Sequence, residues 1–388
     1  MLTRPQRIVF VGHDASLSGA PILLLQLLLL LRQQPGITIT LVIHRGGPLM
    51  GAYKEHFDVI LLKPEGYGKK KSPVQRLLEI LQNRRQMLSF KRKVAAADLV
   101  FSNTIVNGRL MKKIAAAGKP VVTYVHELEN VIKDYKRSGD AVYPGLETGV
   151  IAYPSQKVKE TVLQYYAIPE SRLRRLSYYF PFSPDAAQKA RAAEDFRKRF
   201  HIPANTFLIG GMGVACDRKG TDLFIAVCAA VTRVNPDVQF CWTGVFETPE
   251  TELYLRQLVA EKQLGKKIIF TGPMPHSYYN TAAFDLFFLS SREDPYPLVV
   301  LEAAFMEVPA VCFSPSGGIT EFVGEDAGWI VPGFSVEEAA ATMLRLAGNA
   351  DAVHAKGKRA CEKSIALHAN PSLILQQFRE ILGLSGLS

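Results

Sequence analysis

The sequence predicts an α/β protein with two parallel-sheet domains. At 388 residues, the chain is longer than a single hydrophobic core normally supports. Short apolar runs rich in β-branched residues alternate with longer helical patterns, which is typical of parallel sheets covered on both faces. The alternation breaks at residues 180–200, where a Pro-rich stretch leads into a charged helical pattern, and then resumes. We therefore expect two doubly wound domains that face a central cleft.

The strand-like runs set the predicted domain borders. They lie at residues 7–12, 37–44, 57–62, 97–103, 120–127 and 148–154 in the first half, and at 207–213, 238–244, 267–272, 285–291 and 309–315 in the second. We predict a first domain at residues 1–185, a second at 186–368, and an amphipathic helix within 369–388. The border falls near residues 183–195. In open α/β sheets ligands bind beyond the carboxyl ends of the strands, so we expect the binding residues in the loops there.

Composition and cysteine usage favour a soluble cytoplasmic protein. Hydrophobic residues make up 48% of the chain and charged residues 21%, as in ordinary globular proteins. The five cysteines show no metal-binding spacing, so we expect buried reduced thiols and no metal site. The most apolar segment, residues 21–31, is shorter than the roughly 20 residues of a membrane span. We expect a buried helix there.

Most of the net charge of +10 comes from one window. Residues 63–93 contain ten Lys or Arg and two acids, so they carry +8. Such a patch can meet an anionic membrane, a phosphorylated substrate or nucleic acid, or can be a solvated surface. Only Tyr67 and Phe90 supply aromatic rings, fewer than single-stranded nucleic acids require, so we expect no nucleic-acid partner. Because residues 77–93 are both apolar and basic, we expect them to contact an anionic membrane surface or a lipid-diphosphate acceptor.

A Gly-rich turn at residues 210–224 follows a predicted strand and opens a helix. Glycine allows close backbone approach to a ligand, and a helix N-terminus favours anions. Arg218 and Lys219 add positive charge just before that helix, so the turn indicates a diphosphate site, with a plain turn as the alternative. It is no P-loop, because Gly220 follows Lys219, and no dinucleotide fingerprint, because Cys216 stands at the third glycine position.

The run SREDPYPLVVLEAAF at residues 291–305 places Asp294 in a loop and Glu302 inside an apolar helix. A buried carboxylate costs several kcal/mol unless something binds it. The helix is expected to begin near Leu298, and the free backbone N–H groups at its start can bind phosphate. Glu302 can accept hydrogen bonds from ligand hydroxyls. For each acid alone, a helix cap or a surface position remains the alternative.

The combination of these motifs resembles glycosyltransferase family 4. The spacing from Asp294 to Glu302 is similar to the family's E-x7-E motif, and the following run through Gly317, Gly318 and Glu321 also matches. The resemblance is strong over residues 200–335 and looser in the first half, through 14–21 and 125–127. It implies a retaining enzyme of GT-B fold, with two Rossmann-like domains and a C-terminal helix that crosses back to the N-terminal domain.

The resemblance also implies a role for each matched residue of the second domain. Lys219, with Gly213 in the same turn, would hold the donor diphosphate, and Asp294 would face the hydroxyls of the donor sugar. Glu302 would bind the ribose, and the backbone at Leu298 and Val299 would meet the phosphates. Two positions depart from the family pattern. The first motif acid is Asp rather than Glu, and Val214 stands where relatives often carry Arg, so Arg218 would supply that charge.

In the first domain the resemblance implies two further residues. Gly19 would lie in a loop that closes on donor and acceptor, with an ordinary turn as the alternative. His126, which follows a predicted strand, would line the sugar pocket, with a core or capping histidine as the alternative. Residues 271–280 are expected to touch the base of the nucleotide.

The implied reaction moves a sugar from a UDP-sugar or GDP-sugar to a polysaccharide, oligosaccharide or lipid-linked acceptor, with the first domain on the acceptor side. The chain contains no Asp-x-Asp sequence, so we expect no metal and no cofactor, with cationic groups and a helix end stabilising the leaving phosphate. Two alternatives remain open: a sugar-nucleotide epimerase, and a catalytically silent nucleotide- or carbohydrate-binding protein.

Overall fold

The computed structural model describes residues 5–63, 72–115, 117–182, 185–274 and 277–386. The chain splits into two compact units. Unit 1 consists of Met1–Pro181 with Asn370–Ser388, and unit 2 of Phe182–Ala369. Residues 186–195, which we placed in the border region from sequence, lie within a continuous helix of unit 2.

Unit 1 is built on a seven-stranded parallel sheet with the strand order β3-β2-β1-β4-β5-β6-β7. Its strands are β1 (Gln6–Asp14), β2 (Ile37–Arg45), β3 (Asp58–Lys63), β4 (Leu99–Ser102), β5 (Val121–Tyr124), β6 (Val150–Tyr153) and β7 (Leu173–Arg175). The central strands β4 and β5 are buried throughout, because helices cover both faces of a parallel sheet.

The helices of unit 1 alternate with these strands. They are α1 (Gly19–Arg32), α2 (Met50–His56), α3 (Pro73–Ala96), α4 (Gly108–Ala115), α5 (Glu129–Arg137), α6 (Pro144–Thr148) and α7 (Gln156–Tyr165), with 3-10 turns at Ile105–Asn107 and Glu170–Arg172. The Leu-rich segment forms α1 and is buried along most of its length, as predicted. Within the part of the chain that the structure describes, no helix combines the length and apolarity needed to cross a membrane.

Unit 2 repeats the plan with a six-stranded parallel sheet in the order β10-β9-β8-β11-β12-β13. Its strands are β8 (Phe207–Met212), β9 (Val238–Thr243), β10 (Ile268–Gly272), β11 (Leu286–Leu289), β12 (Ala310–Phe313) and β13 (Gly328–Val331). Its helices are α8 (Ala186–Arg199), α9 (Thr221–Val234), α10 (Pro249–Glu261), α11 (Ser277–Asn280), α12 (Leu298–Phe305), α13 (Ile319–Val323), α14 (Val336–Ala347) and α15 (Ala350–His368), with 3-10 turns at Thr281–Ala283 and Ser314–Ser316.

The last helix, α16 (Pro371–Leu384), packs within unit 1. Phe378 lies against Phe10 and Phe101, with ring centroids 6.4 and 6.0 Å away. The side-chain oxygen of Gln377 accepts a hydrogen bond of 2.8 Å from the backbone N–H of Ser177. A helix from the end of the sequence thus completes the core of the unit that contains the beginning.

Strand order decides where each unit can bind a ligand. In unit 1 the order reverses between β1 and β4, and in unit 2 it reverses between β8 and β11. Beyond the carboxyl ends of such a pair the connections leave in opposite directions and open a crevice. The loops after β1, β4, β8 and β11 are therefore the structural candidates for binding sites.

Candidate functional site

The loops after β8 and β11 meet at the switch point of unit 2, because these two strands are hydrogen-bonded neighbours. The first loop runs from Gly213 to Gly220 and the second from Ser290 to Pro297. The hydroxyl of Ser290 donates to the carbonyl oxygen of Lys219 at 2.9 Å, and the N–H of Arg292 donates to the carbonyl of Arg218 at 2.9 Å. These two hydrogen bonds therefore hold the two loops together.

Lys219 lies at the end of the first loop, immediately before helix α9. Gly213 adopts φ of 138°, which L-residues rarely reach, and its carbonyl accepts a hydrogen bond of 3.1 Å from the indole N–H of Trp242. A Cβ at Gly213 would lie 3.4 Å from Cε of Lys219, which is van der Waals contact. The turn predicted from sequence thus places Lys219 beside Gly213.

Lys219 forms an ion pair with Asp294, 75 residues later in the chain. Both side chains are largely buried, with exposed fractions of 13% and 9%. The ammonium group has three N–H donors and the carboxylate has a second oxygen, so each keeps capacity for a ligand. The contacts of this carboxylate with Lys219, Ser291 and Arg218 all involve Oδ2. The two residues predicted separately for diphosphate and sugar therefore act as a pair.

Arg218 is more exposed and more distant. Its Nη1 lies 4.0 Å from Oδ2 of Asp294 and donates to the backbone carbonyl of Glu293 at 2.9 Å. About half of the side chain is exposed. Arg218 therefore lies next to the ion pair, where the sequence placed it, with its guanidinium on the outer side.

Arg292 was not predicted from sequence, yet it ties the two loops together. Its guanidinium binds both carboxylate oxygens of Asp222 at 2.7 and 2.6 Å and donates to the carbonyl of Asp217 at 2.7 Å. Burial alone would raise the pKa of Asp222, but the hydrogen bonds and charge of Arg292 outweigh this and hold it below its usual value. Bidentate guanidinium–carboxylate pairs fix geometry well. The two partners of Arg292, Asp217 and Asp222, lie on either side of Lys219 in the chain.

The backbone of Asp294 is also held by residues that follow β12. Its N–H donates to the carbonyl of Ser316 at 2.7 Å, and it forms an isolated parallel bridge with Gly317. Gly317 adopts φ of 130°, and a Cβ there would lie 1.9 Å from the carbonyl oxygen of Asp294. Only glycine fits this position, which explains the Gly317 that follows the acidic motif.

Helix α12 begins four residues after Asp294, at Leu298. Its cap residue, Pro297, offers no side-chain hydrogen bond to the first turn. The N–H groups of Leu298 and Val299 therefore lie at a helix N-terminus without a side-chain acceptor, where the helix dipole favours an anion. The predicted helix start was confirmed, and the predicted phosphate contacts lie on it.

Glu302 lies on the second turn of α12 and is half-buried. Burial raises the pKa of its carboxyl group from 4.5 to about 7. Within the described residues, no donor forms a hydrogen bond or ion pair with this carboxylate. Because no described residue donates to Glu302, both of its carboxylate oxygens can accept hydrogen bonds from a ligand.

An aromatic group lies near Glu302. The charge of Glu302 contributes to the raised pKa of Tyr278, after burial and Tyr279. Tyr278 and Tyr279 contact each other and Phe182, with ring centroids 4.7 to 5.5 Å apart. Both tyrosines belong to the predicted base-contacting segment 271–280, of which residues 275 and 276 lie outside the described part of the chain.

His126 of unit 1 follows β5 and is almost fully buried. Burial lowers its pKa to about 3, so the imidazole is neutral at physiological pH. Nδ1 lies 3.1 Å from the hydroxyl of Tyr178, and Nε2 lies 3.4 Å from Oδ1 of Asn103. The ring also packs on Tyr124, with centroids 4.1 Å apart. A neutral histidine can donate one hydrogen bond and accept another, but it carries no positive charge.

Gly19 is exposed at the start of α1, in the loop after β1. Asn103, in the loop after β4, donates a hydrogen bond of 3.0 Å to the carbonyl of Ala20. Because Asn103 also contacts His126, one side chain links His126 to the start of α1, next to Gly19, at the switch point between β1 and β4. This link was not foreseen, because it joins segments more than eighty residues apart.

Glu127, next to His126, is a second buried acid with a raised pKa. Burial raises its pKa to about 7, although hydrogen bonds partly oppose the shift. The carboxylate accepts hydrogen bonds from the hydroxyl of Thr104, the N–H of His126 at 2.8 Å and the N–H of Ile105 at 3.5 Å. These bonds fasten the loop after β4 to the loop after β5.

The structure groups the predicted residues by unit. Gly213, Arg218, Lys219 and Asp294 lie together at the unit 2 switch point, with Leu298, Val299 and Glu302 on the helix that continues from Asp294. In unit 1, Asn103 contacts His126 and the carbonyl of Ala20, the residue after Gly19. Among the described residues, no group of three or more His, Cys, Asp or Glu is placed to hold a metal ion.

Sequence models of two glycosyltransferase groups match this chain. The model described as "Glycosyl transferases group 1" matches residues 192–363, and the model described as "Glycosyl-transferase family 4" matches residues 4–142. The first contains the unit 2 site residues, and the second contains Gly19 and His126.

Curated relatives are similar at moderate identity. A D-inositol 3-phosphate glycosyltransferase of Corynebacterium glutamicum is 26% identical over 306 residues, which cover 72% of this chain and 71% of that protein. A processive diacylglycerol alpha-glucosyltransferase of Acholeplasma laidlawii is 30% identical over 125 residues, which cover 32% of this chain and 36% of that protein.

Solved structures are similar over nearly the whole chain. HepE of Anabaena, crystallised with UDP-glucose, has a TM-score of 0.79 at 17% identity, with 97% of this chain and 99% of that chain covered. Sucrose-phosphate synthase of Thermosynechococcus elongatus has a TM-score of 0.75 at 19% identity, with 99% and 100% covered. At such identities the likeness establishes the fold. With the two family matches, the motif residues and the paired parallel sheets in agreement, the chain belongs to the group 1 glycosyltransferases of family 4 and has the GT-B fold.

Proposed function

We propose that this chain is a retaining, metal-independent glycosyltransferase that uses a nucleoside diphosphate sugar. Its acceptor is a saccharide or a lipid-linked saccharide in polysaccharide or glycolipid assembly. The observation that carries the proposal is the order of groups along the unit 2 site. A lysine–carboxylate pair precedes an open helix N-terminus, and a carboxylate without a partner among the described residues follows it.

Lys219 would stabilise the leaving diphosphate. As the bond between the anomeric carbon and the diphosphate breaks, negative charge grows on the phosphate oxygens. The ammonium group, held in place by Asp294, keeps further N–H donors for those oxygens. The N–H groups of Leu298 and Val299 would bind the same diphosphate at the positive end of α12. Metal independence is proposed because these groups supply the required positive charge.

Asp294 would orient the donor sugar. Its Oδ2 holds Lys219, which leaves Oδ1 to accept from a sugar hydroxyl. In the proposed step the bond from the anomeric carbon to the diphosphate oxygen breaks, and a bond to the acceptor oxygen forms on the same face. The acceptor proton passes to the leaving diphosphate. Such a front-face substitution needs no enzyme nucleophile, and it retains the anomeric configuration.

Glu302 would bind the ribose, with the tyrosine pair near the base. Ribose hydroxyls would donate to its carboxylate, which no described donor occupies. His126 would contribute a neutral hydrogen bond to the sugar pocket, and the loop at Gly19 would close on donor and acceptor. The structures of HepE with UDP and with UDP-glucose make UDP-sugars the first donors to test.

A thermal-shift screen against UDP-glucose and GDP-mannose tests the donor class, since ligands that bind the folded state raise Tm. Lys219→Ala should reduce turnover roughly 100- to 1,000-fold, as loss of one electrostatic donor does elsewhere. The control is Lys266→Ala, which removes an exposed lysine of the same unit. Equal turnover in the two variants would contradict the assignment, and loss of activity in EDTA would contradict metal independence.

Product analysis separates the reaction types. Transfer of labelled sugar to an added saccharide or lipid acceptor supports the glycosyltransferase, whereas a changed sugar nucleotide without acceptor identifies an epimerase. Nuclear magnetic resonance of the product linkage tests retention, because inversion gives the opposite anomer. A protein that binds donor without either product would be the silent alternative.

The composition of helix α3 supports the proposal that the protein associates with a membrane surface. Arg84, Arg85 and Arg92 accompany the exposed apolar residues Leu81 and Leu88 on this helix. Such a mixture is typical of helices that lie on anionic bilayers. Part of the predicted basic window, residues 64–71, lies outside the described residues. We propose a cytoplasmic enzyme at the inner membrane face; the five buried free thiols suit that compartment.

Flotation with vesicles tests the membrane part. The protein should float with vesicles that contain phosphatidylglycerol and stay in solution with pure phosphatidylcholine. Equal behaviour with both vesicles would contradict an electrostatic membrane contact.

A further inference from the structure

Unit 1 contains a pocket between helices α3 and α4, and none of its lining residues belongs to the loops after β1 and β4. Its volume is about 580 Å³, within the range of roughly 300–1,000 Å³ that holds small-molecule ligands. Four lining residues come from consecutive turns of α3, and the others come from α4 and the turn after it: Met87, Phe90, Lys91, Val94, Lys113, Ile114 and Ala117.

The inner wall of this pocket is apolar. Phe90, Val94 and Ile114 are almost completely buried, and Met87 is partly buried against the same core. None of these four side chains offers a strong hydrogen-bond donor or acceptor. The wall therefore suits a hydrocarbon and disfavours a free phosphate, a nucleotide or a sugar, which would lose hydrogen bonds to water.

The rim of the pocket is cationic. Lys91 and Lys113 line it and are exposed. Within the described residues neither forms an ion pair, whereas their neighbours Lys93 and Arg109 pair with Asp58 and Asp140. Two lysines without acidic partners beside an apolar wall complement an amphiphile whose head is anionic. They oppose a cationic head, and a neutral head gains nothing from their charge.

We propose that this pocket binds one hydrocarbon chain of an anionic lipid, with Lys91 and Lys113 at its head group. The lipid would lie in the membrane surface that α3 contacts, so the inference rests on that part of the proposed function. It goes further, because surface attraction needs only summed charge, whereas the pocket requires a stoichiometric site that also operates without a bilayer.

The test is made in solution, where no membrane surface exists. Cis-parinaric acid, a fluorescent fatty acid, is titrated into the full-length protein below its aggregation concentration. We expect a saturable rise in fluorescence with one probe per chain. Dihexanoyl-phosphatidylglycerol should displace the probe at least fivefold more effectively than dihexanoyl-phosphatidylcholine. Absence of saturable binding, or equal displacement by both lipids, would overturn the proposal.

Two matched pairs of variants locate the site. Ala117→Trp fills the pocket from its exposed rim and should weaken probe binding at least tenfold, whereas Ala95→Trp, on an exposed position of α3 outside the pocket, should not. Lys91→Glu should weaken binding about five- to tenfold, since it reverses a charge at the head group. Arg92→Glu makes the same charge change one residue away and should have less than a twofold effect.

The outcomes separate the pocket from the membrane surface. If the protein binds one parinarate but does not float with anionic vesicles, the lipid pocket is supported and the membrane contact of α3 is contradicted. If the protein floats but shows no saturable probe binding, the lipid pocket is contradicted and the membrane contact of α3 is supported. Equal weakening within either pair of variants would also overturn the pocket, and circular dichroism melts confirm that every variant is folded.

Discussion

Glu127 in unit 1 is buried and Glu302 in unit 2 is half-buried, yet burial raises the pKa of both carboxyl groups to about 7. Their hydrogen-bond partners differ. Glu127 accepts hydrogen bonds from Thr104, His126 and Ile105. Glu302 receives none from any residue that the structure describes. The first acid is satisfied by its own protein, whereas the second is left for a ligand.

The difference teaches that burial alone does not identify a binding site. Desolvation raises the pKa of both groups, because it penalises the charged form wherever it occurs. Their hydrogen-bond partners separate them: Glu127 holds two loops together, whereas Glu302 keeps its carboxylate oxygens for donors from a ligand. The predictions below test this contrast between Glu127 and Glu302.

The largest effect is expected for Glu302→Ala. Hydrogen bonds to charged groups are worth about 1.5–3 kcal/mol each, so losing two from ribose should weaken UDP-glucose binding roughly 100-fold or more. Isothermal titration calorimetry measures the change. Glu325→Ala removes an exposed acid from the same unit and is the control. Unchanged affinity in Glu302→Ala would remove this residue from the site.

Glu127→Ala should instead reduce stability. It leaves the Thr104 hydroxyl and two backbone N–H groups without their acceptor, and an unsatisfied buried donor costs about 1–3 kcal/mol. Urea unfolding should show a lower free energy of unfolding, with UDP-glucose affinity unchanged. Glu147→Ala, an exposed acid of unit 1, is the control. If Glu127→Ala weakened donor binding as much as Glu302→Ala, the contrast would collapse.

Arg292→Ala tests whether the unit 2 site depends on connections between its loops. Without the guanidinium that binds Asp222 and Asp217, Lys219 should be held less firmly, and kcat/KM should fall about tenfold. Arg292→Lys keeps the charge but loses the bidentate geometry, so it should recover only part of the rate. Arg345→Ala is the exposed control. A fall in Tm without a change in kcat/KM would show a purely structural role.

The smallest effects concern pH. Glu302 binds ribose best when ionised, so UDP-glucose affinity should rise roughly tenfold as pH increases from about 6 to 8 and then level off. Glu302→Gln should abolish this dependence, and Glu127→Gln should preserve it. UDP-glucose is the suitable ligand because its diphosphate is a diester and does not titrate in this range. A pH profile that stays the same in Glu302→Gln would assign the titration to another group.

The same shift has a consequence for the unliganded protein. The folded pKa of about 7 lies above the ordinary 4.5, so between these values the folded state binds more protons than the unfolded state. The free energy of unfolding should therefore fall as pH rises through this window. Urea melts should show a flatter dependence in either Gln variant.

The sequence predicted eleven of the thirteen strands and the helices that carry the site, because long apolar runs and glycine turns are local signals. The two strands it missed, β7 and β13, are short: β7 reads LRR, and β13 is partly exposed. Neither presents the apolar run that marks a central strand, so their place in the sheets depends on tertiary pairing.

The site was predicted residue by residue, but its connections were not. The Lys219–Asp294 pair, the Arg292 clamp and the Asn103 link each join side chains far apart in the chain. A single sequence carries no local pattern for such pairings, because the strand order that creates them is itself a tertiary property. The sequence does not distinguish Glu127 from Glu302 for the same reason. They differ in the hydrogen-bond donors that the fold places near each carboxylate, and these donors depend on tertiary structure.

The most direct measurement is a crystal structure of the full chain with UDP. The account predicts a diphosphate within hydrogen-bonding distance of Nζ of Lys219 and of the N–H groups of Leu298 and Val299, and ribose hydroxyls that donate to Glu302. UDP bound elsewhere in unit 2, or ribose turned away from a still unpartnered Glu302, would contradict it.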